Sequence, residues 1–391
     1  MKYQIINGNN IDVLKTFPDD HFDSIVTDPP YGIDFLGKAW DANTGALETY
    51  QQCLRVLKPG GHILAFSAAR TYHHLAITLE QAGFEIRDQI MWIYSSGFPK
   101  SQDVGKSIQR SMGVKEYEGF VDTTKNSGFG QMDVARQKVG QEWSTKETQV
   151  GKAKVTDPEA KQWAGWGTAL KPAHEPIALA RKPIKGSIKD NVLKHGVGAL
   201  NIDATRIAYD GPNDKPVPHG GKARQHKDNP GWMADNTGYG IIENPEINPI
   251  GRFPSNVLGE IAEPYQKYFY CPKVSRRERH IGFDLTTIPT DPSGKYDNGG
   301  YSGNQETLKA AGNNHPTVKP IELMKYLIKL ITPAGGKVLD PFNGSGSTGC
   351  AAVELGYEYV GIELDANYVE IATKRIEAWN KEDTAFKEIF A

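Results

Sequence analysis

This chain of 391 residues has little with which to staple itself together. Its three cysteines, Cys53, Cys271 and Cys350, are too scattered for a metal-ligand spacing and too few for a disulfide framework. The scarcity points to a reducing, cytoplasmic setting and to no metal centre. Net charge is nearly absent too: the formal value is −2, so no global field marks a polyanion or a membrane surface as partner. No apolar run approaches the ~20 residues that a bilayer crossing needs. Met1-Lys2-Tyr3 opens directly on a strand-like stretch, without the basic, apolar and small-residue succession of a secretory signal. At this length one ordinary core does not suffice, and two domains or a core with large insertions are expected.

Periodicity is present at both ends of the chain. Tyr3–Ile6 reads as a strand closed by Asn7-Gly8-Asn9-Asn10, and Ile11, Val13, Leu14 and Phe17 mark a short helix ended by Pro18. Phe22–Thr27 is a buried strand. Leu47, Tyr50, Leu54 and Leu57 recur at helical spacing, and Lys58-Pro59-Gly60-Gly61 is expected to end that helix before a strand from His62 to Ser67. A helix from Thr71 to Ala82 and a strand from Phe84 to Tyr94 follow, and His174–Ala180 looks like a strand or a strand edge. Near the C-terminus, Thr317 is expected to cap a helix lined by Ile321, Met324, Leu327, Ile328 and Ile331. A strand up to Asp340, a glycine-rich turn, a helix, a strand ending at Glu363 and a last helix from Ala366 complete the pattern. The fold class is therefore α/β, a doubly wound, mostly parallel sheet.

The middle is different. Residues 101–165 read as an insertion, partly flexible, 166–183 as a return to the core, and 184–313 as an irregular region rich in Gly, Pro, Asn and Asp. Lys and Arg are in excess between Lys171 and Lys227, and Arg276-Arg277-Glu278-Arg279-His280 follows the aromatic run Tyr268-Phe269-Tyr270. Basic groups interleaved with aromatics suit a phosphate backbone, although solvated loops have the same composition.

Two stretches carry chemistry. Asp28-Pro29-Pro30-Tyr31 ends a buried strand with two residues that cannot donate a ladder hydrogen bond. It offers an acid, stiff carbonyls and an aromatic face, which together suit a flat ring bearing an amino group. The second stretch is Asp340-Pro341-Phe342-Asn343-Gly344-Ser345-Gly346-Ser347-Thr348, a strand-to-helix turn with two glycines, and Glu363 follows 19 residues after Gly344. A glycine turn with an acid about 20 residues on fits a nucleoside cradle. The turn lacks the Gly-Lys-Ser/Thr ending of a phosphate-binding loop, and its spacing is shorter than the dinucleotide fingerprint.

Thr27-Asp28-Pro29-Pro30-Tyr31-Gly32, followed far downstream by His315-Pro316-Thr317-Val318-Lys319-Pro320 and the Asp340–Thr348 turn, resembles the S-adenosylmethionine-dependent DNA amino-methyltransferases, adenine-N6 and cytosine-N4. The order of motifs is the family's β arrangement, and Trp92–Lys100 and Trp166–Pro176 look like phage- and prophage-type members. The resemblance implies a Rossmann-like methyltransferase sheet, circularly permuted, with residues 1–100 as its catalytic half, 184–313 as a DNA recognition region and 314–391 as its cofactor half. It implies that Asp28, Pro29, Pro30 and Tyr31 receive the target base. It implies that Asn9, Asp28, Thr317, Lys319, Asp340, Phe342, Asn343, Gly344, Ser345, Gly346 and Glu363 line the cofactor, S-adenosylmethionine. Family members commonly have Gly-Asp where this chain has Gly8-Asn9. The expected partner is double-stranded DNA, with no membrane and with a homodimer left open. Adenine is expected ahead of cytosine because Asp heads the turn. A cytosine-C5 mechanism is disfavoured, because neither Cys53 nor Cys350 has a His or Asp constellation around it in sequence. The alternative from another class is a DNA-binding protein that keeps the fold without the chemistry.

Overall fold

The computed structural model describes residues 3–33, 44–94, 101–113, 117–118, 152–153, 155–209, 248–259, 274–284, 312–315 and 317–390. Most of the insertion expected to be partly flexible (114–116, 119–151 and 154), the run Tyr268–Tyr270 and most of the basic stretch after Tyr209 lie outside these residues.

Eight strands form one sheet. They are β1 (Tyr3–Asn7), β2 (Phe22–Thr27), β3 (Leu57–Phe66), β4 (Glu85–Ile93), β5 (His174–Arg181), β6 (Val257–Gly259), β7 (Lys337–Asp340) and β8 (Glu358–Glu363), in the order β1-β8-β7-β2-β3-β5-β4-β6. Only β5 runs antiparallel to its neighbours, with Phe66 facing Ile177 on one side and Ile90 facing Ile177 on the other. The C-terminal strands thus slot between the first two of the chain: β8 pairs with β1 and β7 with β2, all parallel.

Period-2 alternation divides the core. Ile25, Ile63, Ala65 and Leu339 pack against α1 (Asn10–Leu14), α2 (Leu47–Val56) and α3 (Tyr72–Ala82). Val26, Leu64 and Val338 face the opposite way, toward helices from the C-terminal part of the chain. The inserted regions contribute α4 (Val104–Ser111), α5 (Pro158–Lys161), α6 (Ile188–His195) and α7 (Arg276–His280). The C-terminal set is α8 (Ile321–Ile331), α9 (Ser347–Glu354) and α10 (Ala366–Phe390).

Two expectations need correction. Lys58-Pro59-Gly60-Gly61 does not separate a helix from a strand. Strand β3 runs through it with a register irregularity against β2, Gly60 taking φ 81°. Of the two readings of His174–Ala180 the strand holds, and β5 lies inside the sheet. Thr317 does not cap α8: Pro320 holds the cap position, and the Ile321 amide donates to the Glu278 carboxylate of α7. In that basic cluster Glu278 and His280 are buried, while Arg277 is exposed. Among the described residues no helix is long and apolar enough to cross a membrane.

Candidate active site

The two chemistry-bearing stretches leave adjacent strands at the same sheet edge, Asp28 directly after β2 and Pro341 directly after β7. The Thr27 hydroxyl donates to Asp340 Oδ1 at 2.7 Å and so bolts the two turns together. Both open into one cavity of about 1700 Å³.

On the Asp28 side, the carboxylate is engaged at both oxygens. Tyr31 Oη donates to Oδ1 at 2.8 Å, and the buried Lys319 ammonium donates to Oδ2 at 2.6 Å. Burial opposes the charge on Lys319, but Asp28 and Glu175 outweigh it and hold its pKa above the usual lysine value. The same ammonium lies 5.5 Å from the centre of the Tyr31 ring and 4.9 Å from that of Phe66. The Tyr31 phenol is pushed well up by burial and then by the Asp28 and Glu175 charges, so it stays protonated at neutral pH.

On the glycine side, Gly344 takes φ 51° and its amide donates to Glu363 Oε2 at 2.8 Å. Glu363 Oε1 accepts the Asp365 amide at 2.9 Å, and burial raises its pKa to about 6. Tyr359 donates to Asn343 Oδ1 at 2.7 Å, which fixes that side chain beside the turn. Buried Arg375 of α10 reaches the carbonyl of Ser345 at 2.5 Å and that of Glu278 at 3.1 Å, tying the turn to the inserted region.

The family model for N6/N4 DNA methylases matches residues 22–374, from the strand before the Asp28 turn to the last helix. The chain belongs to this DNA methylase family. Among curated relatives, a type II methyltransferase of Streptococcus pneumoniae, M2.DpnII, is 31% identical over 152 residues, 39% of this chain and 56% of that protein. The matched stretch thus spans just over half of that relative. Another, M.HindIII of Haemophilus influenzae, is 22% identical over 418 aligned residues, 95% of this chain and 94% of its own. Among solved structures, the complex of M1.HpyAVI with SAM overlays with a TM-score of 0.40 at 16% identity, covering 95% of this chain and 99% of that one. PvuII methyltransferase, cytosine-N4-specific, gives 0.42 at 12% identity, with 98% and 93% covered.

In this chain all but one of the residues singled out in the sequence line the cavity: Asn9, Asp28, Pro29, Pro30, Tyr31, Thr317, Lys319, Asp340, Phe342, Asn343, Gly344, Ser345 and Glu363. Gly346 is the exception. It caps the start of α9 at φ 80°, and a Cβ there would meet Ala372 of α10, 3.0 Å away, rather than a ligand. Other side chains sit in the cavity wall with their polar atoms already committed. Asp340 accepts from Thr27, Thr348 and the Phe342 amide, and burial raises its pKa to about 6. Asn9 caps α1 by accepting from the Ile11 amide at 2.9 Å. Lys319 faces Asp28 rather than the glycine turn.

Sequence reasoning assigned no role to Glu175, Tyr94 or His315, which all line the same cavity. Glu175 Oε2 lies 2.8 Å from Tyr31 Oη and 3.5 Å from Lys319 Nζ. His315 Nδ1 is 2.8 Å from the Thr317 carbonyl, and burial lowers its pKa to about 4, so the imidazole is neutral. The signal for Glu175 was an acid near the head of an otherwise apolar strand. Cys53 and Cys350 are both buried away from the cavity, the first thiol pushed far up by burial and the second to about 11.

Proposed function

We propose that this methylase transfers a methyl group from S-adenosylmethionine to the exocyclic amino nitrogen of a base flipped out of double-stranded DNA, adenine N6 ahead of cytosine N4. The observation that carries the proposal is the shared cavity, in which the acid and aromatic ring of one turn meet the glycine–glutamate cradle of the other. Its volume exceeds the ~300–1,000 Å³ of a one-ligand pocket, so there is room for cofactor and base together.

The cradle's chemistry fits the cofactor. Phe342 offers an apolar face, Gly344 a close backbone approach, and Glu363 a carboxylate whose remaining lone pairs suit ribose hydroxyls. When bound, S-adenosylmethionine supplies an electrophilic methyl group on a sulfonium. The chain's own work is orientation. Asp28 and the Pro29 carbonyl accept the amino hydrogens, the Tyr31 ring stacks on the base, and the nitrogen lone pair is thereby aimed. Well-placed reactants are worth ~7–11 kcal/mol of barrier, set against the few kcal/mol that flipping costs. The two buried, protonated thiols support a direct transfer over a route through a cysteine adduct. Asp rather than Ser at the head of the turn supports adenine. The type II methyltransferase relatives support a catalyst over a silent DNA binder, acting in the cytoplasm of a bacterium or of a phage-infected cell. The chain order, base turn first and cofactor turn last within one sheet, supports reading the fold as a circular permutation.

Labelled methyl transfer to DNA, followed by digestion to nucleosides, separates N6-methyladenine, N4-methylcytosine and no product. Asp28→Ala is expected to slow transfer by ~10²–10⁴-fold while cofactor affinity holds within a few-fold. Transfer at the wild-type rate by that variant would remove Asp28 from the mechanism.

A further inference from the structure

Glu175 has a place in the reaction that follows from the occupancy of Asp28. Resting on the function proposed above, Asp28 has to accept an amino hydrogen from the base with a lone pair it shares with other donors, since its Oδ1 already takes the Tyr31 hydroxyl and its Oδ2 the Lys319 ammonium. A second carboxylate stands within reach of both. Tyr31 Oη is 2.8 Å from Glu175 Oε2, the same distance as from Asp28 Oδ1, and a phenol has a single proton to donate to one of them at a time. Lys319 Nζ is 2.6 Å from Asp28 and 3.5 Å from the same Glu175 oxygen. All three charged groups are largely shielded from water, with side-chain exposures of 6% for Lys319, 18% for Asp28 and 19% for Glu175. The phenol therefore has two partners at equal distance, and the ammonium, held by Asp28, has Glu175 as its next carboxylate.

The fold explains the placement. β5 is antiparallel to its neighbours, so its first residues, not its last, arrive at the edge where β2 and β3 end. Glu175 is set opposite Trp92 of β4, one residue before the buried Pro176 and Ile177. Tyr94, just beyond β4, has its phenol pushed up by burial, by the Glu175 charge and by a hydrogen bond to it, so Glu175 has a further partner there.

We propose that Glu175 is a positioning residue for methyl transfer: it takes over the Tyr31 hydroxyl and the Lys319 ammonium as Asp28 turns to the amino group of the base. Without Glu175 the second carboxylate near both donors is gone, and they stay on Asp28, drawing its charge and lone pairs away from the amine. The two carboxylates and one ammonium also leave a net charge of −1 beside the amine, favourable as that nitrogen becomes positive.

The test compares wild type, Glu175→Ala and Glu175→Gln with the DNA shown to be methylated by the wild type. The readouts are single-turnover transfer, steady-state kcat and KM for DNA, S-adenosylhomocysteine affinity by calorimetry, and thermal unfolding. Glu175→Ala is expected to lower the single-turnover rate and kcat by about 100-fold. KM for DNA and S-adenosylhomocysteine affinity should stay within about threefold. Glu175→Gln, which keeps an acceptor oxygen for Tyr31 but not the charge, should recover part of the rate. Transfer by Glu175→Ala within about threefold of wild type overturns the inference and leaves the proposed function standing. So does loss of folding or of cofactor affinity in both variants, which would make Glu175 a structural residue only. A wild type that methylates no DNA instead sinks the function, and the inference with it.

Discussion

The two glycines of the cofactor turn look equivalent in sequence and are not. Both have positive φ, 51° at Gly344 and 80° at Gly346, so an L side chain costs ~1–2 kcal/mol at either. Their surroundings differ. A Cβ at Gly344 would press on His315 Nε2, 2.9 Å away, the imidazole of a side chain in the cavity wall. A Cβ at Gly346 would meet Cβ and Cα of Ala372 at 3.0 and 3.2 Å, in a helix that cannot yield without moving as a whole. Gly346→Ala is therefore expected to lose ~2–4 kcal/mol in urea unfolding with near-normal S-adenosylhomocysteine affinity in the folded protein. Gly344→Ala should lose less stability and more affinity. A Gly346→Ala protein as stable as wild type would show that α10 does not press on this turn.

At the scale of elements, the inserted region and the cofactor half are joined through one side chain. Glu278 completes a capping box with Ser275 at the start of α7, and its other carboxylate oxygen accepts the Ile321 amide at the start of α8. Helix α8 has no side-chain cap of its own. Glu278→Ala leaves donors of two helix ends without this acceptor, and a loss of ~2–3 kcal/mol in urea unfolding is expected, largely recovered by Glu278→Gln. A change below ~0.5 kcal/mol would mean that water replaces the carboxylate at both ends. This cap was not legible in the sequence, because its two halves are 43 residues apart and Thr317 offered a local alternative. What was legible rested on period. The strands and helices at the two ends alternate or repeat strongly enough to be placed within a few residues, and the two turns that bound them carry most of the site. Lys58-Pro59-Gly60-Gly61 misled because turn composition alone does not distinguish a break from an irregularity inside a strand. Glu175 was missed for a related reason: its role depends on the direction of β5, which pairing decides and local pattern does not.

For the molecule as a whole, a formal charge of −2 means little global self-repulsion near neutrality, so the pH dependence of stability falls to a few buried groups. They oppose one another. Burial raises Asp340 and Glu363 to about 6, above their unfolded values, so their contribution is full below the unfolded pKa and is lost as pH rises through about 6. Burial lowers His62 and His315 to about 4, below the ordinary 6.5, so the stability they contribute is present above pH 6.5 and is lost as pH falls to about 4. The four slopes overlap between pH 4 and 6.5 and largely cancel, so the wild-type curve alone is uninformative there. His62 separates them. It lies in the core of β3 away from the cavity, its Nδ1 has no hydrogen-bond partner, and the charges of Arg181 and Arg87 add to burial in keeping it neutral. Replacing it with Gln removes a group that takes up a proton in the unfolded chain but not in the folded one. Measured by urea unfolding, wild-type stability minus that of His62→Gln should be greatest near pH 7 and fall by up to ~3 kcal/mol by pH 4. A difference constant across that range would mean that the folded protein protonates His62 as readily as the unfolded chain does. Burial in the centre of the sheet would then not exclude charge from this position.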